Sequence, residues 1–265
     1  MKTLRIYGDS FAAGELGSWT TILSELLGIP IVNKAIAGSS TEYSVFTFVN
    51  DVNEGIIDDK DIIVFVPSST GRLYFSHHLY SSPSSASTYN NTNQWYRKNK
   101  NHVDWWIVNN NTKMQSITFE SYIQLLKNFA LSKPSSIMVV LQAFNNGYSR
   151  DIFNNVPPHN FLRPEIYIGD VSKFETDQHT FSYFKYDDWV EFIKNDPRSN
   201  HLTIPNLNIL ANLLYTAIKN LNADNITYDK FKTNIINKIT SKDQYLQYVN
   251  DGILTYRTDI ENNLK

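Results

Sequence analysis

The sequence predicts a doubly wound α/β fold, a three-layer sandwich with a mainly parallel sheet. Short apolar runs alternate with segments of helical period from the first residues through residue 67. The run "DIIVFVP" (61–67) is apolar throughout, which is typical of a strand that is buried on both faces of a parallel sheet. With 265 residues, 42% hydrophobic and 19% charged, the chain is long enough for one sizeable core.

The first three strand and helix pairs follow from local signals. Residues 3–7 suit a buried strand, and Ser18 can cap a helix that Gly28 ends. The segment "IPIVNKAIAG" predicts a second strand that ends near Gly38. A helix from Thr41 is expected next, and its predicted inward face consists of Val45, Phe46, Val49 and Val52.

The second half of the chain is less regular. A helix over 119–131 leads into a fourth strand, "SIMVVLQAF" (136–144), and "EIYIG" (165–169) predicts a short strand. A short helix is expected at "DDWVEFI", and a core helix runs from a Thr203 cap through Leu221. We therefore predict one domain over 1–221, with a polar, aromatic insert at 73–116 and an irregular insert at 145–195, and a weakly helical extension over 222–265.

Composition excludes several classes of function. A formal net charge of -2 gives no reason to expect nucleic acid as a partner. The absence of cysteine excludes disulfides, thiolate metal sites and a cysteine nucleophile. No signal peptide and no apolar run of membrane-spanning length is recognised, so a cytoplasmic or virion-associated protein is expected. His77, His78 and His102 lie in the polar insert without a carboxylate or cysteine partner, so we predict no metal site.

Reactive side chains are expected beyond the carboxyl ends of the strands. Ser10 follows the first strand, Gly38 the second and "PSSTGR" the third, while "DPRSNHL" precedes the last core helix. A serine hydroxyl needs a positioned base to act as a nucleophile, and His201 is the histidine just before that helix. The sequence therefore predicts a Ser10–His201 pair, although Gly8-Asp9-Ser10 alone would also suit an ordinary turn.

The segments "LRIYGDSFAAGE" and "NKAIAGSS" resemble the first two blocks of the SGNH hydrolase family, also called GDSL lipases and esterases. The resemblance covers roughly the first 70 residues and then about 195–221. It implies that Ser10 is the nucleophile, that the N–H groups of Ser10 and Gly38 bind the oxyanion, and that His201 is the base. It also implies chemistry without a metal or cofactor.

Two departures from the family pattern leave alternatives open. The third block, G-x-N-D, is replaced by "PSSTGR", which puts Thr70 at the position of the oxyanion-binding Asn, with Ser69 beside it. The family acid lies three residues before the histidine, where this chain has Arg198, and the nearest acid is Asp196. Asp196 is therefore the expected acid. The alternatives are a backbone carbonyl, Asp187 or Asp188, or a Ser-His dyad.

The expected activity is that of a serine esterase acting on a small-molecule or glycan ester, with O-acetyl groups on a carbohydrate as the predicted substrate class. Candidate substrate-binding residues are Ser69, Arg72, Trp95 and Trp105, because aromatic rings in a polar loop can stack on sugars. The aromatic rings can equally pin the insert to the domain, and Arg72 can pair with a carboxylate. Open alternatives are a non-catalytic glycan-binding or structural module, such as part of a phage particle, and an acyltransferase. Residues 222–265 are interpreted as a packing or oligomerisation element.

Overall fold

A computed structural model describes most of the predicted sheet and its helices. It covers residues 1–14, 18–36, 39–68, 112–143, 157–164, 166–168, 202, 204–224, 226–227 and 230, together with two short strands at 74–75 and 78–79. In chain order the elements are β1 (Leu4–Gly8), α1 (Trp19–Leu27), β2 (Ile31–Asn33), α2 (Thr41–Asn53), β3 (Ile62–Val66), β4 (Tyr74–Phe75), β5 (His78–Leu79), α3 (Thr112–Ser132), β6 (Ile137–Val140), β7 (Phe161–Leu162) and α4 (Ile204–Asn220).

Five strands form one parallel sheet in the order β2-β1-β3-β6-β7. Counted along the chain, this is the 2-1-3-4-5 order of flavodoxin-like sheets, in which the second strand lies at one edge. The prediction of an α/β fold with a mainly parallel sheet is confirmed. β4 and β5 pair separately as an antiparallel hairpin.

The central strands carry apolar side chains on both faces, because every residue of β1 and β3 is buried. On one face, side chains from the sheet meet those of α2 and α3 in a single cluster. Its buried members are Tyr7, Val45, Phe48, Ile57, Ile63, Phe65, Phe119, Ile123, Leu126, Phe129, Ala130, Met138, Val140 and Phe161. Burial of these apolar side chains stabilises the packing of the helices on the sheet.

The helix ends follow the signals in the sequence. The Ser18 side chain accepts a hydrogen bond from the Thr21 N–H, and Gly28 ends α1 in the left-handed conformation with φ 65°. Ser40 caps α2 in the same way, by accepting from the Tyr43 N–H. The caps satisfy backbone groups that have no partner within the helix, which fixes where each helix begins.

Four sequence predictions need correction. β2 ends at Asn33 and not near Gly38, because the Asn33 side chain accepts from the Ala35 N–H and turns the chain away. On α2, Phe46 is 53% exposed and Phe48 takes its place in the core. The helix predicted over 119–131 begins at Thr112, inside the predicted insert.

The fourth correction concerns the last strand. Residues 166–168 form no strand, and the strand that pairs with β6 is β7, at Phe161–Leu162. Asn160 directs this pairing: its carbonyl accepts from the Met138 N–H, and its buried side-chain amide donates to the carbonyls of Ala130, Lys133 and Ser136. The amide thus caps the end of α3 and holds the start of β7 beside β6.

Two buried polar networks tie the sheet to its surroundings. At the amino end of the strands, the carboxylate of Asp61 accepts from Arg5 Nε and from the N–H groups of Thr3 and Asp58. Near the core, the Tyr7 hydroxyl donates to Asp51 over 2.7 Å. Burial, together with the Asp51 carboxylate, raises the pKa of Tyr7, so the phenol stays protonated as a donor.

The chain divides into two compact units. The first consists of Met1–Ala13 and Ile29–Arg163 and contains the five-stranded sheet with α2 and α3. The second consists of Gly14–Gly28 and Pro164–Lys265, and in it α1 packs against α4. The buried side of α4 includes Leu207, Leu210, Leu214 and Ala217, as the helical period predicts.

Candidate active site at the carboxyl edge of the sheet

The candidate site lies in the first unit, where the parallel strands end at a common edge. β1 ends at Gly8, β2 at Asn33 and β3 at Val66. Their last residues are held in register, with Ile6 opposite Asn33 and Gly8 opposite Val66. The chain segments that leave these three strands therefore start beside one another, at the edge where α/β proteins hold their reactive groups.

Ser10 lies in a tight turn that Asp9 organises. The Asp9 carbonyl accepts from the N–H groups of Ala12 (2.9 Å) and Ala13 (2.7 Å), and its carboxylate accepts from the Phe11 N–H (3.0 Å). Asp9 is fully buried, whereas Ser10 is half-buried. These three hydrogen bonds to Asp9 define the turn and hold the backbone on both sides of Ser10 in place.

Gly8 is required at the start of this turn because no side chain fits there. A Cβ atom on Gly8 would lie 2.8 Å from both the Cβ and the carbonyl oxygen of Val66, and 3.1 Å from the Cβ of Ala12. These contacts are shorter than van der Waals distances, and the Val66 carbonyl is backbone that cannot rotate away. The glycine therefore lets β1 and β3 stay close up to the point where the Ser10 turn begins.

We expect Gly8→Ala to destabilise the protein by about 1–3 kcal/mol, because the added methyl group pushes β1 away from β3. The same displacement moves the Ser10 turn, so ester hydrolysis should fall as well. Urea unfolding followed by circular dichroism measures the first effect. An alanine variant with the wild-type unfolding midpoint would contradict the close approach described here.

The loop after β2 is fastened directly to the start of the Ser10 turn. The Gly8 carbonyl accepts from the Ile36 N–H (3.0 Å) and from the Ser39 hydroxyl (2.9 Å). The Asn33 side-chain amide donates to the Ala12 carbonyl over 2.9 Å, on the other side of the same turn. Three hydrogen bonds thus connect the turn to residues 33–39, and Ser39 is fully buried.

The end of β3 is fixed from two sides. The Thr41 hydroxyl, at the first residue of α2, donates to the Ser68 carbonyl over 3.2 Å. The Ala143 N–H donates to the Pro67 carbonyl over 3.1 Å and extends the pairing of β3 with β6. The segments that follow β1, β2 and β3 are therefore joined by hydrogen bonds between described residues, and the backbone at this edge is preorganised.

A charged cluster lies farther along the same edge, after β6 and β7. The Arg163 guanidinium binds both carboxylate oxygens of Glu120 and the carbonyl oxygen of the Gln142 side chain, at 3.1–3.4 Å. Glu120 and Gln142 are buried. Because its contacts to Glu120 are bidentate, Arg163 ties the loops after β6 and β7 to α3.

An acid and a phenol also approach each other between α2 and α3. Burial raises the pKa of Glu42, the second residue of α2. Burial, with a smaller effect of the Glu42 charge, raises the pKa of Tyr122 on α3 to about 12. Tyr122 is therefore a protonated hydrogen-bond donor at neutral pH.

Of the site residues predicted from the sequence, Ser10 is the one that the structure describes, and it lies at the predicted edge. The other predicted site residues lie outside the described residues: Gly38, Ser69, Thr70, Arg72, Trp95, Trp105, Asp196 and His201. Sequence reasoning did not single out Asn33, Ser39 or Ser68. For Ser39 and Ser68 the position just after a predicted strand was the available signal, whereas Asn33 lay inside the predicted second strand. Hydrogen bonds between distant segments leave no local pattern.

Within the described ranges, no group of three or more His, Asp or Glu side chains is arranged to hold a metal ion. Among the helices that the structure describes, none has the length and apolar character needed to cross a membrane.

Comparison with known proteins gives structural neighbours only. No protein-family model and no curated protein matches the chain. One solved structure that is similar is a protein of Desulfitobacterium hafniense assigned to the G-D-S-L family of lipolytic proteins, with 18% identity and a TM-score of 0.29. The match covers 54% of this chain and 60% of that protein's length.

A second similar structure is a protein of Parabacteroides merdae assigned as a GDSL-like lipase, with 12% identity and a TM-score of 0.37. This match covers 83% of this chain and 96% of the other. Both of these similar structures belong to proteins described as being of the G-D-S-L type.

Proposed function

We propose that this protein is a serine ester hydrolase of the SGNH type, with Ser10 as its nucleophile. One observation carries the proposal: Ser10 lies in a turn at the carboxyl end of β1 in a parallel sheet, and this turn is hydrogen-bonded to the end of the neighbouring strand β2 and to the loop that follows it. A nucleophile and its oxyanion donors must be held in fixed geometry before the substrate arrives. The hydrogen bonds that Ile36, Ser39 and Asn33 donate to the Gly8 and Ala12 carbonyls hold the Ser10 turn in such a fixed geometry.

In the proposed reaction, His201 takes the proton of the Ser10 hydroxyl while Ser10 Oγ bonds to the ester carbonyl carbon. The carbonyl electron pair moves to oxygen, where the N–H groups of Ser10 and Gly38 stabilise the negative charge. His201 then gives its proton to the leaving alcohol, and water repeats the sequence to release the acid. Asp196 orients His201. The role of Gly38 is supported by its neighbours, since Ile36 and Ser39 both bind the Gly8 carbonyl.

The proposed substrate class is an O-acetylated carbohydrate. Trp95 and Trp105 in the polar insert would stack on sugar rings, and Ser69 and Arg72, which follow β3 in sequence, would contact polar groups of the substrate. The fold alone does not choose a substrate, because one scaffold supports many chemistries. The proposal for the carbohydrate therefore depends on the composition of the insert.

Acetate release tests this proposal, measured on a chromogenic acetyl ester and on acetylated oligosaccharides. We expect hydrolysis of both, with kcat/KM higher for the oligosaccharide. His201→Ala should lower kcat by roughly 10²- to 10⁴-fold on either substrate, because general-base catalysis is lost. Hydrolysis of the simple ester alone would contradict the carbohydrate assignment, and full activity of His201→Ala would contradict the mechanism.

A further inference from the structure

Ser68 carries a buried hydroxyl group that makes no hydrogen bond. The residue is 1% exposed and lies two positions after the end of β3. Among the side chains that the structure describes, its Oγ and the Oε1 of Gln124 are the buried oxygen atoms without a partner. Gln124 lies on α3, whereas Ser68 lies at the edge of the sheet where the candidate active site is built.

The Ser68 hydroxyl differs from those of the buried serines Ser39 and Ser44, which are hydrogen-bonded within the protein. Ser39 donates to the Gly8 carbonyl and Ser44 donates to the Ser40 carbonyl, so the hydrogen-bonding capacity of each is used within the protein. A hydroxyl removed from water without a new partner destabilises the folded state. Such a group in an otherwise satisfied region indicates a function that supplies the missing partner.

Ser68 and Ser10 follow neighbouring strands at the same edge of the sheet. The last pair between β1 and β3 is Gly8 with Val66. Ser10 lies two residues after Gly8, in the turn that follows β1, and Ser68 lies two residues after Val66, beyond the end of β3. The Ser68 backbone is fixed independently of its hydroxyl, because the Ser68 carbonyl accepts from Thr41 and the Pro67 carbonyl accepts from Ala143. The hydroxyl is thus a donor held on rigid backbone, with its proton uncommitted.

We propose that the Ser68 hydroxyl donates a hydrogen bond to the oxyanion that forms when Ser10 attacks an ester carbonyl. The inference rests on the proposed function and deepens it by assigning the side-chain donor to Ser68 instead of Thr70. In this step Ser10 Oγ bonds to the carbonyl carbon, the Ser10 proton passes to His201, and the carbonyl π pair becomes the negative charge on oxygen. Ser68 keeps its own proton throughout. When the charge collapses, the bond to the alcohol breaks and the alcohol takes the proton from His201.

The test compares Ser68→Ala with Thr70→Val and with the buried control Ser44→Ala, using steady-state hydrolysis of a chromogenic acetyl ester and thermal unfolding. Loss of one oxyanion donor should lower kcat of Ser68→Ala by about 10²- to 10³-fold with KM nearly unchanged. Its Tm should not fall, because the lost hydroxyl had no partner in the folded protein. Ser44→Ala should keep kcat and show a lower Tm, and Thr70→Val should lower kcat much less than Ser68→Ala does.

Three results would overturn the inference: an unchanged kcat for Ser68→Ala, a fall in both its kcat and its Tm, or a loss of kcat in Thr70→Val alone. Either of the first two results would mean that the Ser68 hydroxyl binds a water molecule or contributes to packing instead of binding the oxyanion. In each of these cases a wild-type enzyme that depends on Ser10 leaves the proposed function standing. Absence of hydrolysis by the wild type, or full activity of Ser10→Ala, would remove the proposed function and the Ser68 role together.

Discussion

Replacing Ser10 by alanine is expected to lower kcat for ester hydrolysis by roughly 10⁴-fold or more, because the reaction loses the atom that forms the acyl-enzyme. The fold should not change. The turn that holds Ser10 is built from the Asp9 carbonyl and carboxylate and from the Asn33 amide, and alanine leaves all of these bonds in place. The measurement is kcat for a chromogenic acetyl ester, with circular dichroism as the check on folding.

Ser121→Ala is the matched control for this prediction. Ser121 is an exposed serine on α3 whose hydroxyl donates to the Ile117 carbonyl of its own helix. Its loss should leave kcat at the wild-type value. If Ser10→Ala and Ser121→Ala are equally active, Ser10 belongs to a structural turn and the hydrolase assignment is wrong.

The largest effect on stability is expected for Asp61→Ala, at about 3–5 kcal/mol of unfolding free energy. Asp61 is fully buried, and its carboxylate is the partner of Arg5 Nε, itself only 11% exposed. Removal of the carboxylate leaves the Arg5 charge buried, and it also leaves the N–H groups of Thr3 and Asp58 without their acceptor. These groups join β1 to β3 at the amino end of the sheet, so the loss affects the centre of the fold.

Asp59→Ala provides the comparison, since Asp59 lies two positions away and pairs with Lys133 at the surface. The Asp59 side chain is 66% exposed, and a pair of this kind contributes about 0–1 kcal/mol. Urea unfolding followed by circular dichroism compares the two variants. Similar midpoints for both would mean that the buried Arg5–Asp61 pair does not hold the strands together.

The parts of the fold that could be predicted are those that short segments specify by themselves. The α1 helix was predictable because Ser18 and Gly28 mark its ends and its apolar residues repeat every three to four positions. β3 was predictable because all of its residues are buried and its sequence is apolar throughout. β1 is also fully buried, and its apolar residues indicated a strand although it includes Arg5. In these cases the local pattern and the tertiary structure require the same residues.

The sequence predictions were wrong where contacts between distant segments determine which residues are buried or form a strand. Phe46 and Phe48 both suit an apolar helix face, and the packing of Phe48 against Tyr7, Phe65 and Phe129 decides which one is buried. The apolar run at 165–169 suits a strand, yet the bonds of Asn160 to three carbonyls of the α3–β6 region put the strand at Phe161–Leu162. Hydrogen bonds of this kind cannot be predicted from the sequence of one segment alone.

The same distinction applies to the site. The position of Ser10 at the end of β1 follows from the motif and the strand before it. The residues that hold its turn, Asn33 and Ser39, come from a different strand and loop, and no short pattern joins them to Ser10. The uncommitted hydroxyl of Ser68 is likewise a property of its surroundings, because a serine after a strand is an ordinary residue until its partners are known.

The central claim is that Ser10 is an activated nucleophile, and covalent labelling tests it most directly. The protein is incubated with a fluorophosphonate, digested, and the adduct is located by peptide mass spectrometry. We expect one adduct, on Ser10. Its rate of formation should fall sharply in His201→Ala and should equal the wild-type rate in the control variant Ser121→Ala. Labelling that is absent from the native wild-type protein, or that persists unchanged in His201→Ala, would contradict the account.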